Sequence, residues 1–181
     1  MLSLVVAVSV FLAATIAGVI SPIPFEIVEE QMSALVEPIE KSGDIVSRLA
    51  GLVSIILYNN VGVAIRCVVL GFTLIYPLYV LYANGYIIGS VVGFIGYSSI
   101  ALLPHGVFEL PAIIYSSYLG VRLGILSALF LLLRVVKKKS STHLLREYRE
   151  SLAKLRYPLL FLVIAAFVEV FISLPIGHLL R

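Results

Sequence analysis

The chain has 181 residues, 61% of them hydrophobic and only 13% charged, with a mean hydropathy of +1.11, which excludes a soluble globular domain and identifies an integral membrane protein. One helical bundle fills this length, because each span takes about 20 residues to cross roughly 30 Å of hydrocarbon. The net charge of +3 does not point to nucleic acid, since the basic residues flank an apolar segment where anionic lipid headgroups are the natural partner, and Cys67, the single cysteine, excludes an intrachain disulfide.

In chain order, the uncharged run from Leu2 closes at Ser21-Pro22 and predicts a first span over 2–22. Ala14 and Ala17 would suit a signal-peptide cleavage site, but no Lys or Arg precedes the run and it is long for a signal core, so a retained span is expected. An acidic loop follows over 23–44, with Glu26, Glu29, Glu30, Glu37, Glu40 and Asp44 against Lys41. Asp44 to Tyr58 is short for a crossing and is expected to form an interfacial or half-inserted helix before the second span. Further spans are expected at 61–83, 86–103 and 108–136, with Asn59 and Asn60 capping the first of them and turns at Asn84-Gly85 and Pro104-His105-Gly106. Pro77 is expected to kink its span, because it removes one ladder hydrogen bond. Gly85, Gly89 and Gly93 recur every fourth residue and form a face for close helix packing or for a homo-oligomer.

Residues 137–157 hold Lys137, Lys138, Lys139, Arg146, Arg149, Lys154 and Arg156 against Glu147 and Glu150, a basic loop that the positive-inside rule places in the cytoplasm. Within it "HLLREYRESLAKL" sets Leu144, Leu145, Tyr148, Leu152 and Leu155 at helical spacing, which predicts a helix along the membrane surface. A last span covers 158–178. The fold class is an all-α membrane protein, a single domain over 1–181 with about five spans. In the cell membrane the amino terminus is expected on the cytoplasmic side, and the acidic loop and carboxyl terminus on the outside.

Ionisable groups inside a span cost at least about 2.5 kcal/mol on insertion scales, so Arg66, Glu109, Arg122 and Glu169 each call for a partner or a task. With Arg134 and Arg156 as inner edges, Arg122 and Glu169 lie roughly 18 and 20 Å up their helices, and an ion pair between them is expected. Together with Arg66, Asn59, Asn60 and Asn84 they form the expected polar core. His105 and Glu109, four residues apart, would share a helical face and suit a metal pair or an acid/base couple. Glu169 could be a third ligand to a divalent metal such as zinc only if residues 104–111 dip inward as a re-entrant turn. The same motif equally reads as a polar cap that turns the chain at the outer face.

Five pieces, "NN" at Asn59-Asn60, "NG" at Asn84-Gly85, "LLPHGVFELPA" at 102–112, "LGVRLG" at 119–124 and "AAFVEVFISLP" at 165–175, follow one another in order. In these the chain resembles the stage II sporulation protein M family. The resemblance covers the chain from about residue 50, with Ser173-Leu174-Pro175 standing where the family more usually shows Thr-Pro. It implies a five-span protein that anchors envelope partners, in spore formers those that degrade peptidoglycan, and it implies no settled catalytic chemistry. His105, Glu109, Arg122 and Glu169 match recurrent polar positions of the family.

The function expected is a non-enzymatic membrane scaffold without a cofactor, with the lipid bilayer and envelope proteins as partners. Two alternatives stand beside it. One is a transporter or channel of small solutes or ions using Arg122 and Glu169; the other is an intramembrane metal-dependent enzyme using His105, Glu109 and Glu169. Neither a nucleophile elbow nor a phosphate loop nor a metalloprotease pair of histidines occurs in the sequence.

Overall fold

The computed structural model describes residues 2–24, 43–95, 103–136 and 142–173. The elements are α1 (Leu2–Ile20), α2 (Ile45–Val69), a 3-10 turn (Gly71–Thr73), α3 (Ile75–Ile95), α4 (Leu103–Val136), α5 (Thr142–Lys154), α6 (Arg156–Val168) and a closing π turn (Glu169–Ser173). Among the described residues no strand occurs, and five helical stretches are long and apolar enough to cross a membrane. The expected class and number of spans therefore hold, while several boundaries move.

The charge-free α1 ends where Pro22 and Pro24 can no longer donate backbone bonds. Its small face, Ser3, Ala7, Ala14 and Gly18, is buried against α3. The glycines of α3 answer it. A Cβ on Gly89 would overlap the Thr15 carbonyl oxygen, and one on Gly85 or Gly93 would lie 2.5 Å from Phe11 O or 3.0 Å from Val19 O. This face, expected to serve close packing or self-association, is thus filled by α1 of the same chain. The Tyr86 hydroxyl donates to Ser21 O at 2.6 Å and Ile23 N donates to Ser90 Oγ at 3.2 Å, which fastens the chain beyond α1 to the same helix.

Asp44 caps α2. Its Oδ1 accepts from Ser47 Oγ at 2.6 Å and from Ser47 N at 3.3 Å, and these bonds, the side-chain one first, hold its carboxyl below the ordinary 3.8. From there α2 runs 25 residues without a break, so the separate interfacial helix expected up to Tyr58 is instead the first half of a full span. Asn59 and Asn60 lie inside that helix and do not cap it. The real break is at Leu70–Leu74, where Leu74 takes φ 62° and Gly71 meets α4 so closely that a Cβ would sit 2.9 Å from Gly120 O. Pro77 consequently falls in the first turn of α3, where its missing N–H costs nothing, and does not kink a span. Asn84-Gly85 is no turn either: Asn84 Nδ2 donates to Val80 O at 2.8 Å within α3.

Helix α4 is continuous for 34 residues through Pro111, roughly 51 Å at 1.5 Å per residue. No re-entrant turn forms at 104–111. This helix supplies members of all three buried apolar clusters: Ala112 and Ile113 beside Ala64, Cys67 and Leu162; Val121 beside Ala7, Phe11 and Leu81; Leu119 and Leu123 beside Val68 and Leu155. It is the axis of the bundle.

Helices α5 and α6 are almost one rod. Leu155 stays in right-handed helical geometry, with its N–H shared between Ser151 O and Leu152 O at 3.2 Å each. The joint falls there because Pro158 cannot donate to Lys154 O. Ser151 and Leu155 are buried, whereas Leu145, Arg146, Arg149 and Leu152 face outward.

Candidate functional site

Among the described residues, two polar constellations bring ionisable side chains into the apolar packing. The first lies inside the bundle. Asn60 of α2, at 8% exposure, hydrogen-bonds the Glu109 carboxylate of α4, and Glu169, at the start of the π turn, faces Glu109 closely enough for their charges to interact. Asn59 Nδ2 donates to Asn60 Oδ1 at 3.3 Å, leaving the Asn60 amide hydrogens to point at the carboxylate. The depth follows from helix rise. Asn60 is nine residues from the end of α2 and Glu109 eleven from Gly120, which packs on the turn after α2, so the cluster sits roughly 14–16 Å from that end of the bundle. In a hydrocarbon layer of about 30 Å this is near the middle.

The second constellation lies at the turn end. Arg122 Nη2 donates to Glu147 Oε2 of α5 at 2.6 Å, the two side chains being 30% and 10% exposed. His143 Nε2 stands 3.9 Å from the other oxygen of the same carboxylate. Beneath it Tyr148 joins Val68, Leu119, Leu123 and Leu155 in an apolar layer. A charge-assisted hydrogen bond therefore tethers α5 to the core of the bundle.

The expected Arg122–Glu169 pair is corrected accordingly. Arg134 does not mark the inner edge of the bundle, because α4 runs on past the α2–α3 turn, against which Gly120 and Gly124 pack. Arg122 lies between those two glycines, at the level of the turn. Glu169 lies some fourteen residues of rod beyond Leu155, on the order of 20 Å away. Arg66, expected in the polar core, instead occupies the exposed last turn of α2, its Nε donating to Gly62 O at 3.0 Å.

Of the residues expected to hold a metal, Glu109 and Glu169 are brought together and the His105 side chain lies outside the described residues. Its backbone is in α4 one turn before Glu109. Among the described residues no group of three His, Cys, Asp or Glu side chains could hold a metal ion. Glu147 was not singled out in the sequence, where it reads as one acid in a basic loop; its signal is its place on the apolar side of the amphipathic α5, one residue before Tyr148 and four before Ser151.

The family model for Stage II sporulation protein M matches residues 5–174. Comparison with curated proteins and with solved structures finds no match.

Proposed function

Because the chain belongs to the Stage II sporulation protein M family, we propose that it is a multi-pass membrane scaffold whose α5 helix presents a fixed platform to envelope proteins. The observation that supports this reading is the 2.6 Å Arg122–Glu147 contact. The arginine that a transporter would use to carry or balance substrate charge is committed to holding a helix in place. One side of α5 is anchored by Glu147 and the buried Ser151, with Leu155 buried at its end, and the other offers Leu145, Arg146, Arg149 and Leu152 to a partner. By the positive-inside rule this platform is cytoplasmic. With the glycine face of α3 covered by α1, a homo-oligomer would form through other helices.

The test is a photo-crosslinking residue placed at Leu145 or Leu152 in intact membranes. Discrete adducts with envelope proteins are expected, and they should disappear in Glu147→Gln, which releases the helix while leaving the crosslinker exposed. Adducts that are absent, or that persist unchanged in Glu147→Gln, would overturn the reading.

A second reading has one specific observation in its favour, the facing of Glu109 and Glu169 beside Asn60. Two carboxylates near the middle of a bilayer repel unless something positive lies between them, so a shared proton or a small cation, zinc among them, would be held there. The motifs of a hydrolytic enzyme do not accompany the pair. Proton or cation flux in proteoliposomes that Glu169→Gln abolishes would favour this reading; flux that ignores the substitution would end it.

A further inference from the structure

On the exposed side of the α4–α6 seam, two cavities meet. One, of about 340 Å³, is lined by Pro111, Ala112, Tyr115, Tyr157, Pro158 and Phe161 and is almost wholly apolar. The other, of about 390 Å³, shares Tyr115 and Tyr157 with the first and adds Glu150, Lys154 and Arg156. Shared walls make them one groove with two chemistries. Its apolar arm climbs towards the bundle middle, because Pro111 lies before Tyr115 on α4 and Phe161 after Tyr157 on the opposing α6. Phe161 meets Phe108 there, ring centroids 6.2 Å apart. Its charged arm opens at the α5–α6 joint.

We propose that this groove is a binding site for an anionic phospholipid, with one acyl chain between α4 and α6 and the phosphate at Lys154 and Arg156. Three features carry it. The Arg156 guanidinium is already positioned, stacked 4.9 Å above the Tyr157 ring centroid with Nη2 donating to the Tyr157 hydroxyl at 2.9 Å, and that leaves most of its donors for a phosphate. Among the described lining residues Glu150 is the one acid, 3.7 Å from Arg146 Nε, and Lys154 and Arg156 outnumber it at the mouth. The apolar arm, lined by two prolines and exposed Tyr157 and Phe161 rings, lies where a tail would run beside a headgroup held at the joint. A partner protein would need an acidic headpiece attached to a slender apolar rod. A phospholipid has that shape.

The experiment uses the full chain, delipidated in a neutral detergent, and measures retained lipid by native mass spectrometry with phosphatidylglycerol, phosphatidylcholine or inorganic phosphate added. The wild type is expected to prefer phosphatidylglycerol to phosphatidylcholine by about fivefold for each engaged cation. Lys154→Gln with Arg156→Gln should erase that preference. Arg149→Gln, exposed on α5 but outside the groove, should keep it. Phe161→Ala, which shortens the apolar arm at a partly exposed ring, should weaken both lipids alike. Equal retention of the two lipids by the wild type would overturn the proposal, as would a preference that survives the paired substitution or falls equally in Arg149→Gln. Competition by inorganic phosphate alone would also overturn it, by showing an anion site with no use for the tail.

Discussion

Removing the Arg122–Glu147 contact should loosen α5 from the bundle, and the two ends of the contact should not be equivalent. Two unit charges 4 Å apart at an effective dielectric of 20 attract by about 4 kcal/mol, a ceiling that partial hydration of Arg122, 30% exposed, brings down. A hydrogen bond to a charged group contributes about 1.5–3 kcal/mol net, and we take about 2 kcal/mol for this one. Arg122→Ala strands a carboxylate that is only 10% exposed, whereas Glu147→Ala leaves a guanidinium that can turn to water, so the arginine substitution should cost more. For a chain of this size each kcal/mol lowers Tm by about 2–4 °C, which makes the expected fall about 4–8 °C for Arg122→Ala in detergent. The double variant should fall no further than Arg122→Ala alone. The assay is a double-mutant cycle on the temperature at which the monodisperse peak is lost in size-exclusion chromatography. Additive losses in the double variant, or a larger loss from Glu147→Ala than from Arg122→Ala, would refute the tether.

Gly89→Ala should abolish a monodisperse preparation, because its Cβ would overlap the Thr15 carbonyl, whereas Gly106→Ala, whose Cβ would meet nothing nearer than Leu110 Cδ1 at 3.9 Å, should be tolerated; chromatography of the two proteins checks both. The cap at Asp44 makes the start of α2 pH-dependent: its lowered carboxyl contributes stability above the ordinary 3.8 and loses it as pH falls through the depressed value. Hydrogen exchange at Ser47, corrected for the intrinsic rate, should therefore stay protected down to that range in the native chain and be uniformly weak in Asp44→Ala. Glu169→Gln should leave thermal stability in detergent unchanged or raised, since it takes an ionisable group out of a buried position and away from Glu109; a fall of several degrees would show that the buried Glu169 carboxyl is compensated by a partner. Cys67 is fully buried beside Ser117 Oγ at 3.4 Å, so a maleimide should label it only after denaturation.

The span count was legible because it depends on hydropathy summed over about 20 residues, which tertiary context hardly alters. The boundaries were not, because punctuation residues have two uses. Asn84-Gly85 carries a strong turn signal, yet Gly85 is spent on close approach to Phe11, and Asn59-Asn60 sits mid-helix because Asn60 is needed against Glu109. The true turn, Leu70 to Leu74, contains only one glycine and left its mark in the sequence chiefly as Pro77 three residues into the next helix. Site residues were found individually and mispaired. Arg122 and Glu169 stood out as charges in apolar runs, but matching them required knowing that α4 overshoots the α2–α3 turn, and Glu147 was hidden among the charges of an amphipathic helix whose apolar side proved to be the buried one.

The dependence of α1 on α3 bears on how the chain is made. The partner that covers the small side of α1 emerges from the ribosome roughly 75 residues after α1 is complete, a delay of about 4–15 s at 5–20 residues per second. Throughout that interval Ser3, Thr15 and Gly18 must be shielded by lipid or by the insertion machinery, and only the arrival of Gly85, Gly89 and Gly93 lets the two backbones close. A translational pause placed between α2 and α3 should thus prolong the exposure of the first helix to quality-control proteases more than a pause of equal length placed after α4.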